Sequence, residues 1–220
     1  MYNFGGIICP AYLPLNLWIM AWGQHKTNVF IMRIAKARPS QANVIAKLIM
    51  EAMNYDCCRY FLGEGNTLKD FEDMMTYLVG RTDTQYSYLN TIVALNDNDE
   101  VIGICVSYDG ADLLRLRKPF EEEEMKRFGM DFSQMQPESS AGEMYFDTLC
   151  VDSRYRHQGI ASSLIIASIG KALTLDFPAV GLLVDFGNPN AERLYTATGF
   201  KFADETEWGG HKMRHLQYRL

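Results

Sequence analysis

Val151-Asp-Ser-Arg-Tyr-Arg-His-Gln-Gly-Ile-Ala161 reads as the end of a strand, a tight turn and the first turn of a helix. Leu149, Cys150 and Val151 form an apolar run suited to a buried strand, and Ala161, Leu164, Ile165, Ser168 and Ala172 recur at helical spacing beyond the turn. Such a junction holds anions. The first N–H groups of a helix have no partner inside it and lie at the positive end of its dipole, so a phosphate can accept several hydrogen bonds there. Gly159 lets the main chain come close to such a ligand, and Arg156 adds a cation.

Two common phosphate-binding patterns do not fit. The dinucleotide turn needs three glycines in Gly-x-Gly-x-x-Gly and this turn has one, while no Gly-Lys-Ser/Thr closes the segment as a Walker loop requires. The run Arg156-His157-Gln158-Gly159-Ile160-Ala161 instead resembles the acyl-CoA pyrophosphate loop, Gln/Arg-x-x-Gly-x-Gly/Ala, of the GNAT superfamily of N-acetyltransferases. That family also carries Asn-x-x-Ala-x-x-Leu-Tyr-x-x-x-Gly-Phe about thirty residues later. Asn188, Ala191, Leu194, Tyr195, Gly199 and Phe200 match it, in the right order. The resemblance is close over residues 145–200 and extends at fold level over 32–220. His157 departs from the pattern, standing where the family often has Gly.

The resemblance implies an α/β single domain with a mixed central sheet of about six to seven strands flanked by helices. That sheet is splayed between the strands ending near 151 and starting near 180. It also implies acetyl-CoA as cosubstrate, no metal, and transfer of an acetyl group to a primary amine by direct attack in a ternary complex. Carried onto matching positions, Arg156, His157, Gln158, Gly159, Ile160 and Ala161 hold the pyrophosphate, and the main chain of Leu149, Cys150 and Val151 pairs with the pantetheine arm. Asn188 belongs to the second wall of the cofactor site, and Tyr195 donates a proton to the departing thiolate. Each also has a plain structural reading. Asn188 caps a helix that Pro189 opens and Gly199 stops, and Tyr195 shares an apolar face with Ala191, Leu194 and Thr198.

Glu143 to Val151 reads as the strand entering the turn. Strict alternation puts Glu143, Tyr145, Asp147, Leu149 and Val151 on one face and Met144, Phe146, Thr148 and Cys150 on the other. A carboxylate in such an apolar run needs a partner or a task, because burying it unpaired is costly. Asp147 therefore either bonds a neighbouring loop or the insert, or accepts a proton from the amine.

Upstream, Ile31 to Ala37 reads as the first strand, Ser40 as the cap of a helix presenting Ile45, Leu48, Ile49 and Ala52, and Thr67 as the start of another helix. Cys57 and Cys58 are read as the beginning of a loop. Thr91 to Leu95 and Val101 to Ser107 form a hairpin around Asn96-Asp97-Asn98-Asp99. Residues 109–142 are an insert, with a helix predicted to begin at Pro119, run through Glu121 to Glu124 and stop at Gly129. It reads as a solvated surface helix with Glu122/Lys126 and Glu123/Arg127 pairs, or as a lid over the acceptor pocket. Val180 to Phe186, Phe200 to Ala203 and Leu216 to Leu220 supply the remaining strands.

Residues 1–31 read as an N-terminal extension or peripheral tail. Pro10, Pro14 and Asn16 interrupt the apolar stretch 7–22, and no Lys or Arg precedes it, which argues against a membrane span or secretory signal. The five cysteines show no metal-binding or disulfide spacing and fit reduced thiols in the cytoplasm. A net charge of −6 leaves no footprint for nucleic acid and leans weakly towards a cationic substrate. The expected partner is thus a small-molecule or peptide amine, with a homodimer left open. The competing readings are a non-catalytic acyl-CoA-binding regulatory module on the same fold and an interaction protein docking through its tail.

Overall fold

The computed structural model describes residues 32–220, so the tail reading of residues 1–31 lies outside the described residues. In chain order the elements are β1 (Arg33–Lys36), α1 (Ala42–Met53), α2 (Tyr55–Leu62), α3 (Leu68–Gly80), β2 (Thr91–Leu95), β3 (Val101–Asp109) and α4 (Leu113–Phe128). There follow β4 (Met144–Val151), α5 (Ile160–Thr174), β5 (Ala179–Asp185), α6 (Pro189–Ala197), β6 (Lys201–Trp208) and β7 (His211–Arg219). The described strands form one seven-stranded sheet in the order β1-β2-β3-β4-β5-β7-β6. Only β4 and β5 pair in parallel.

Strand alternation feeds two apolar layers. Val93, Ile104, Val106 and Tyr145 pack with Ile45, Ile49, Phe71 and Leu78 of the helices before β2, while Ile92, Cys105, Phe146 and Val180 pack with Leu164 and Ile165 of α5.

Local chemistry moves several boundaries. A 3₁₀ turn, Pro39–Gln41, precedes α1, so Gln41 rather than Ser40 occupies its N-cap position; Ile45, Leu48 and Ile49 are buried, but Ala52 is exposed. The adjacent cysteines do not begin a loop. Asn54, in a left-handed conformation (φ 64°), breaks α1, and its Oδ1 accepts from the N–H groups of Asp56 (3.0 Å) and Cys57 (2.9 Å), capping a new helix that contains both thiols. Helix α4 begins at Leu113, not Pro119. The buried face of Leu113, Leu116 and Phe120 carries the helix through the proline, so tertiary packing overrides the local stop signal. Within the helix the buried Glu123 binds both Lys126 (3.0 Å) and Arg127 (2.6 Å), and the expected Glu122/Lys126 pair does not form. Strands β6 and β7 are longer than read.

The sheet splits where β4 meets β5. Their only rungs are Met144↔Val180 and Tyr145↔Gly181, so the strands part after Tyr145, earlier than the expected separation at Leu149 to Val151. A bulge sits at the same level. Against β3 the register passes from Val106↔Thr148 to Ser107↔Phe146, leaving Asp147 without a partner. Alternation therefore shifts at Asp147, and the single-face prediction for Glu143 to Val151 is corrected. Tyr145 and Cys150 join the α1–α3 layer, whereas Met144, Phe146, Leu149 and Val151 join the α5 layer.

Candidate active site

The ladder between β3 and β4 decides which groups face the split. Asp152 N–H donates to the Ile102 carbonyl (2.9 Å), so the alternation of an antiparallel pair turns residues 152 and 150 towards β3. The main-chain groups of Leu149 and Val151 then face the other edge, where no strand pairs beyond Tyr145↔Gly181. Cys150 turns its main chain away from that edge, and its buried thiol, pushed up to about 12 by burial, stays protonated.

Beyond Val151 the chain turns through a 3₁₀ segment, Ser153–Tyr155, into α5. Gly159 occupies the N-cap position in a left-handed conformation (φ 77°), and open space surrounds the position of an added Cβ. No protein acceptor meets the N–H groups of Ile160, Ala161 and Ser162 among the described residues. His157 also adopts a left-handed conformation (φ 62°), which explains why glycine suits this position in the family pattern. Gln158 is exposed beside it. Arg156 is not a free cation. Its Nε donates to the Val151 carbonyl (3.1 Å) and its Nη2 bonds Glu51 of α1 (2.5 Å), tying the loop to both β4 and α1.

Asn188 does cap α6, accepting from Ala191 N–H (3.2 Å), with Pro189 in the first turn. Tyr195 lies on α6 against Phe200, with ring centroids 5.7 Å apart. Burial, with a smaller contribution from Cys105, holds its phenol well above the ordinary tyrosine range, so the hydroxyl keeps its proton.

Asp147 projects on the α1–α3 side. Its Oδ2 accepts from Tyr108 Oη (2.8 Å) and Gln85 Nε2 (3.4 Å), and its Oδ1 from Thr148 Oγ1 (2.8 Å). Burial raises its carboxyl above the ordinary aspartate value, against the opposing pull of those hydrogen bonds and the charge of Arg117. Thus Asp147 and Tyr195 come from opposite layers of the sheet. Tyr145, at the last rung before the split, is held well above the ordinary tyrosine range by burial first and by the Asp147 charge next.

Sequence reading missed the groups that frame Asp147. Gln85 comes from the patternless loop 81–90 and Arg117 from the charged-looking insert helix, yet both are buried, at 3% and 1% exposure. It also missed a tie across the base of the split. The Glu143 carboxylate passes over Gly181 of β5, where any Cβ would collide with it, and accepts from Gln217 Nε2 (2.7 Å) while meeting His215 Nε2 (3.0 Å) on β7. His215 Nδ1 meets Asp204 (3.2 Å), and the bond to Glu143 is the main cause of its raised pKa. No group of His, Cys, Asp or Glu suited to a metal ion occurs among the described residues.

The family model described as the acetyltransferase (GNAT) family matches residues 50–200. The chain belongs to that family and is an acyltransferase enzyme. A crystal structure of an acetyltransferase is 28% identical to it, with a TM-score of 0.69 over 84% of this chain and 98% of the other. An N-acetyltransferase from Staphylococcus aureus Mu50 shares 24% identity and a TM-score of 0.71 over 84% and 99% of the two chains. The NatC complex bound to Gag peptide and CoA contains a chain 19% identical, with a TM-score of 0.52 over 86% and 98%. Among curated proteins, none matches significantly. No helix among the described residues is long and apolar enough to cross a membrane.

Proposed function

We propose that this enzyme moves the acetyl group of acetyl-CoA to a primary amine, of a small molecule or a peptide, by direct attack in a ternary complex. One observation carries the reading. The edge of β4 that β5 leaves uncovered at Leu149 and Val151, where only the Val151 carbonyl is taken, by Arg156, leads directly into a loop whose first helical amides lack acceptors among the described residues. An amide-bearing arm can pair with that edge as an added strand, and a pyrophosphate can accept from Ile160 and Ala161 beside Gly159. Arg156 to Gln158 shape that loop, and Asn188 fixes the start of the helix carrying Tyr195. Bound there, acetyl-CoA supplies the acetyl group as an activated thioester.

The chain supplies the proton chemistry. Asp147 Oδ accepts a proton from the ammonium form of the acceptor, directly or through water, and its raised pKa suits a base working nearer neutrality. Tyr195 Oη, kept protonated by burial, is the donor for the departing sulfur.

Acetyl-CoA is expected to raise the melting temperature by mass action, and Gly159→Glu to abolish that shift by placing bulk and negative charge at the phosphate position. A folded Gly159→Glu protein with an undiminished shift overturns the pyrophosphate assignment. Release of CoA in the presence of a panel of amines tests the transfer itself.

A further inference from the structure

Gln85 is the most unusual polar group beside Asp147. Its main chain is pinned at both ends: the N–H donates to the Leu116 carbonyl of α4 (2.9 Å), and the carbonyl accepts from Asn90 Nδ2 (3.1 Å). The side chain is thereby brought from the loop before β2 to the bulge in β4. Asp147 can only accept when ionised, so the amide nitrogen, not the oxygen, must face it, as it does at 3.4 Å. That orientation leaves Gln85 Oε1 buried with no hydrogen-bond partner among the described residues. An unmet buried acceptor is costly, and a leucine or methionine would fill the same space without that penalty.

Asp147 is itself an acceptor, and the phenols of Tyr86, Tyr108 and Tyr145 all have strongly raised pKa values, from burial first and the Asp147 charge next. Tyr108 already gives its hydroxyl hydrogen to Asp147. The nearby cation, Arg117, has its terminal nitrogens committed to the carbonyls of Met135 (3.1 Å) and Gln136 (3.2 Å) and to Glu138, while its Nε is buried without an acceptor among the described residues. A protonated primary amine carries three N–H donors on one atom, enough to reach both Gln85 Oε1 and the Asp147 carboxylate.

We infer that Gln85 Oε1 receives an N–H of the acceptor, so that the ammonium nitrogen is held between Gln85 and Asp147 before it loses its proton. This rests on the amine-transfer reading above and names its acceptor subsite. Helix α4 then acts on catalysis at one remove: through the Leu116 bond it sets the loop that carries Gln85. Gln85 is a specificity residue towards the amine and a positioning residue towards Asp147.

Gln85→Met preserves length and volume but removes both amide functions. The probes are a linear diamine, a free amino acid, an aminoglycoside and a short peptide, and kinetics use whichever the wild type acetylates best. Losing a hydrogen bond to a charged donor is expected to raise KM for that amine about tenfold or more. The KM for acetyl-CoA should stay within about twofold, since Gln85 lies on the other layer of the sheet. The acid limb of kcat/KM should move to higher pH, because the lost Gln85 bond is one of those that lower the Asp147 pKa. A folded variant with unchanged amine KM and an unmoved acid limb overturns the inference. Should the variant not fold, the side-chain amide resonances of wild-type Gln85 are read during titration with the same amine; they are expected to shift, and their constancy overturns it. A wild type that acetylates none of the probes defeats the transfer reading beneath it, a result distinct from turnover with an indifferent Gln85.

Discussion

The two sides of β4 are built by different means. Towards α5 the candidate cofactor site consists of main-chain groups: the edge that β5 leaves uncovered at Leu149 and Val151, the turn at Gly159 and the first amides of α5. Towards α1–α3 the candidate acceptor site consists of side chains from distant elements, with Asp147 from a bulge, Tyr108 from β3, Gln85 from a loop and Arg117 from α4. The first needs a local backbone conformation, and many side chains leave that intact. The second needs long-range packing, and a single truncation removes a function. Substitutions should accordingly act through backbone geometry on one side and through chemistry on the other.

The sharpest test of this contrast lies in the proton chemistry. Asp147→Asn and Tyr195→Phe should each lower kcat by about 10²-fold or more while acetyl-CoA binding, followed by calorimetry, persists. With a raised Asp147 pKa, the acid limb of kcat/KM lies above the ordinary carboxylate range, and Asp147→Asn should act chiefly above that limb and below the amine pKa, where Asp147 is ionised and the amine still protonated. Unchanged turnover in both variants would remove the acid/base assignment while leaving the transferase reading in place.

A second test addresses the base of the split. Gly181→Ala puts a methyl group where the Glu143 carboxylate lies and breaks its bonds to His215 and Gln217. Losing a buried pair of this kind costs about 3–5 kcal/mol, a drop in Tm on the order of 10 °C. Because the His215 pKa is raised in the folded protein, its contribution is complete below the ordinary histidine value and fades as pH rises through the folded pKa. The penalty should therefore be larger at pH 6 than at pH 9, as thermal melts across that range would show. A penalty independent of pH would mean that steric crowding alone matters there.

The smallest effect concerns α4. Glu124 is fully buried, neither of its carboxylate oxygens has a partner among the described residues, and burial raises its pKa to about 8. The folded state then binds more protons than the unfolded state between the ordinary glutamate value and about pH 8, so stability falls across that window. Glu124→Met should raise Tm by a few degrees at pH 8 and by less at pH 5. Equal gains at both would show that the carboxyl stays uncharged throughout.

Much of the first site was legible because its signals are short-range. A strand, a turn glycine and a helix start occur within Val151 to Ala161, and the cap of α6 lies in Asn188 and Pro189 themselves. Helix α2 was missed because its signal is the single left-handed Asn54, and the α4 start was misplaced because Pro119 outweighs, in sequence, a burial that only the fold supplies. Strict alternation along β4 misassigned Leu149 and Val151, since one unpaired residue at Asp147 shifts every side chain beyond it.

By itself, then, the sequence determined the α/β class, the family, the strand-turn-helix junction at Val151 to Ala161 and the candidacy of Asp147 and Tyr195, because each rests on spacing within one element or two. Only the tertiary structure decided that Arg156 is bound to Glu51, that Glu143 reaches His215 across Gly181, and that Gln85 stands against Asp147 sixty-two residues away. Those contacts depend on sheet order, a bulge and the early parting of β4 from β5, and a linear pattern carries no information about which distant side chains such a register brings together.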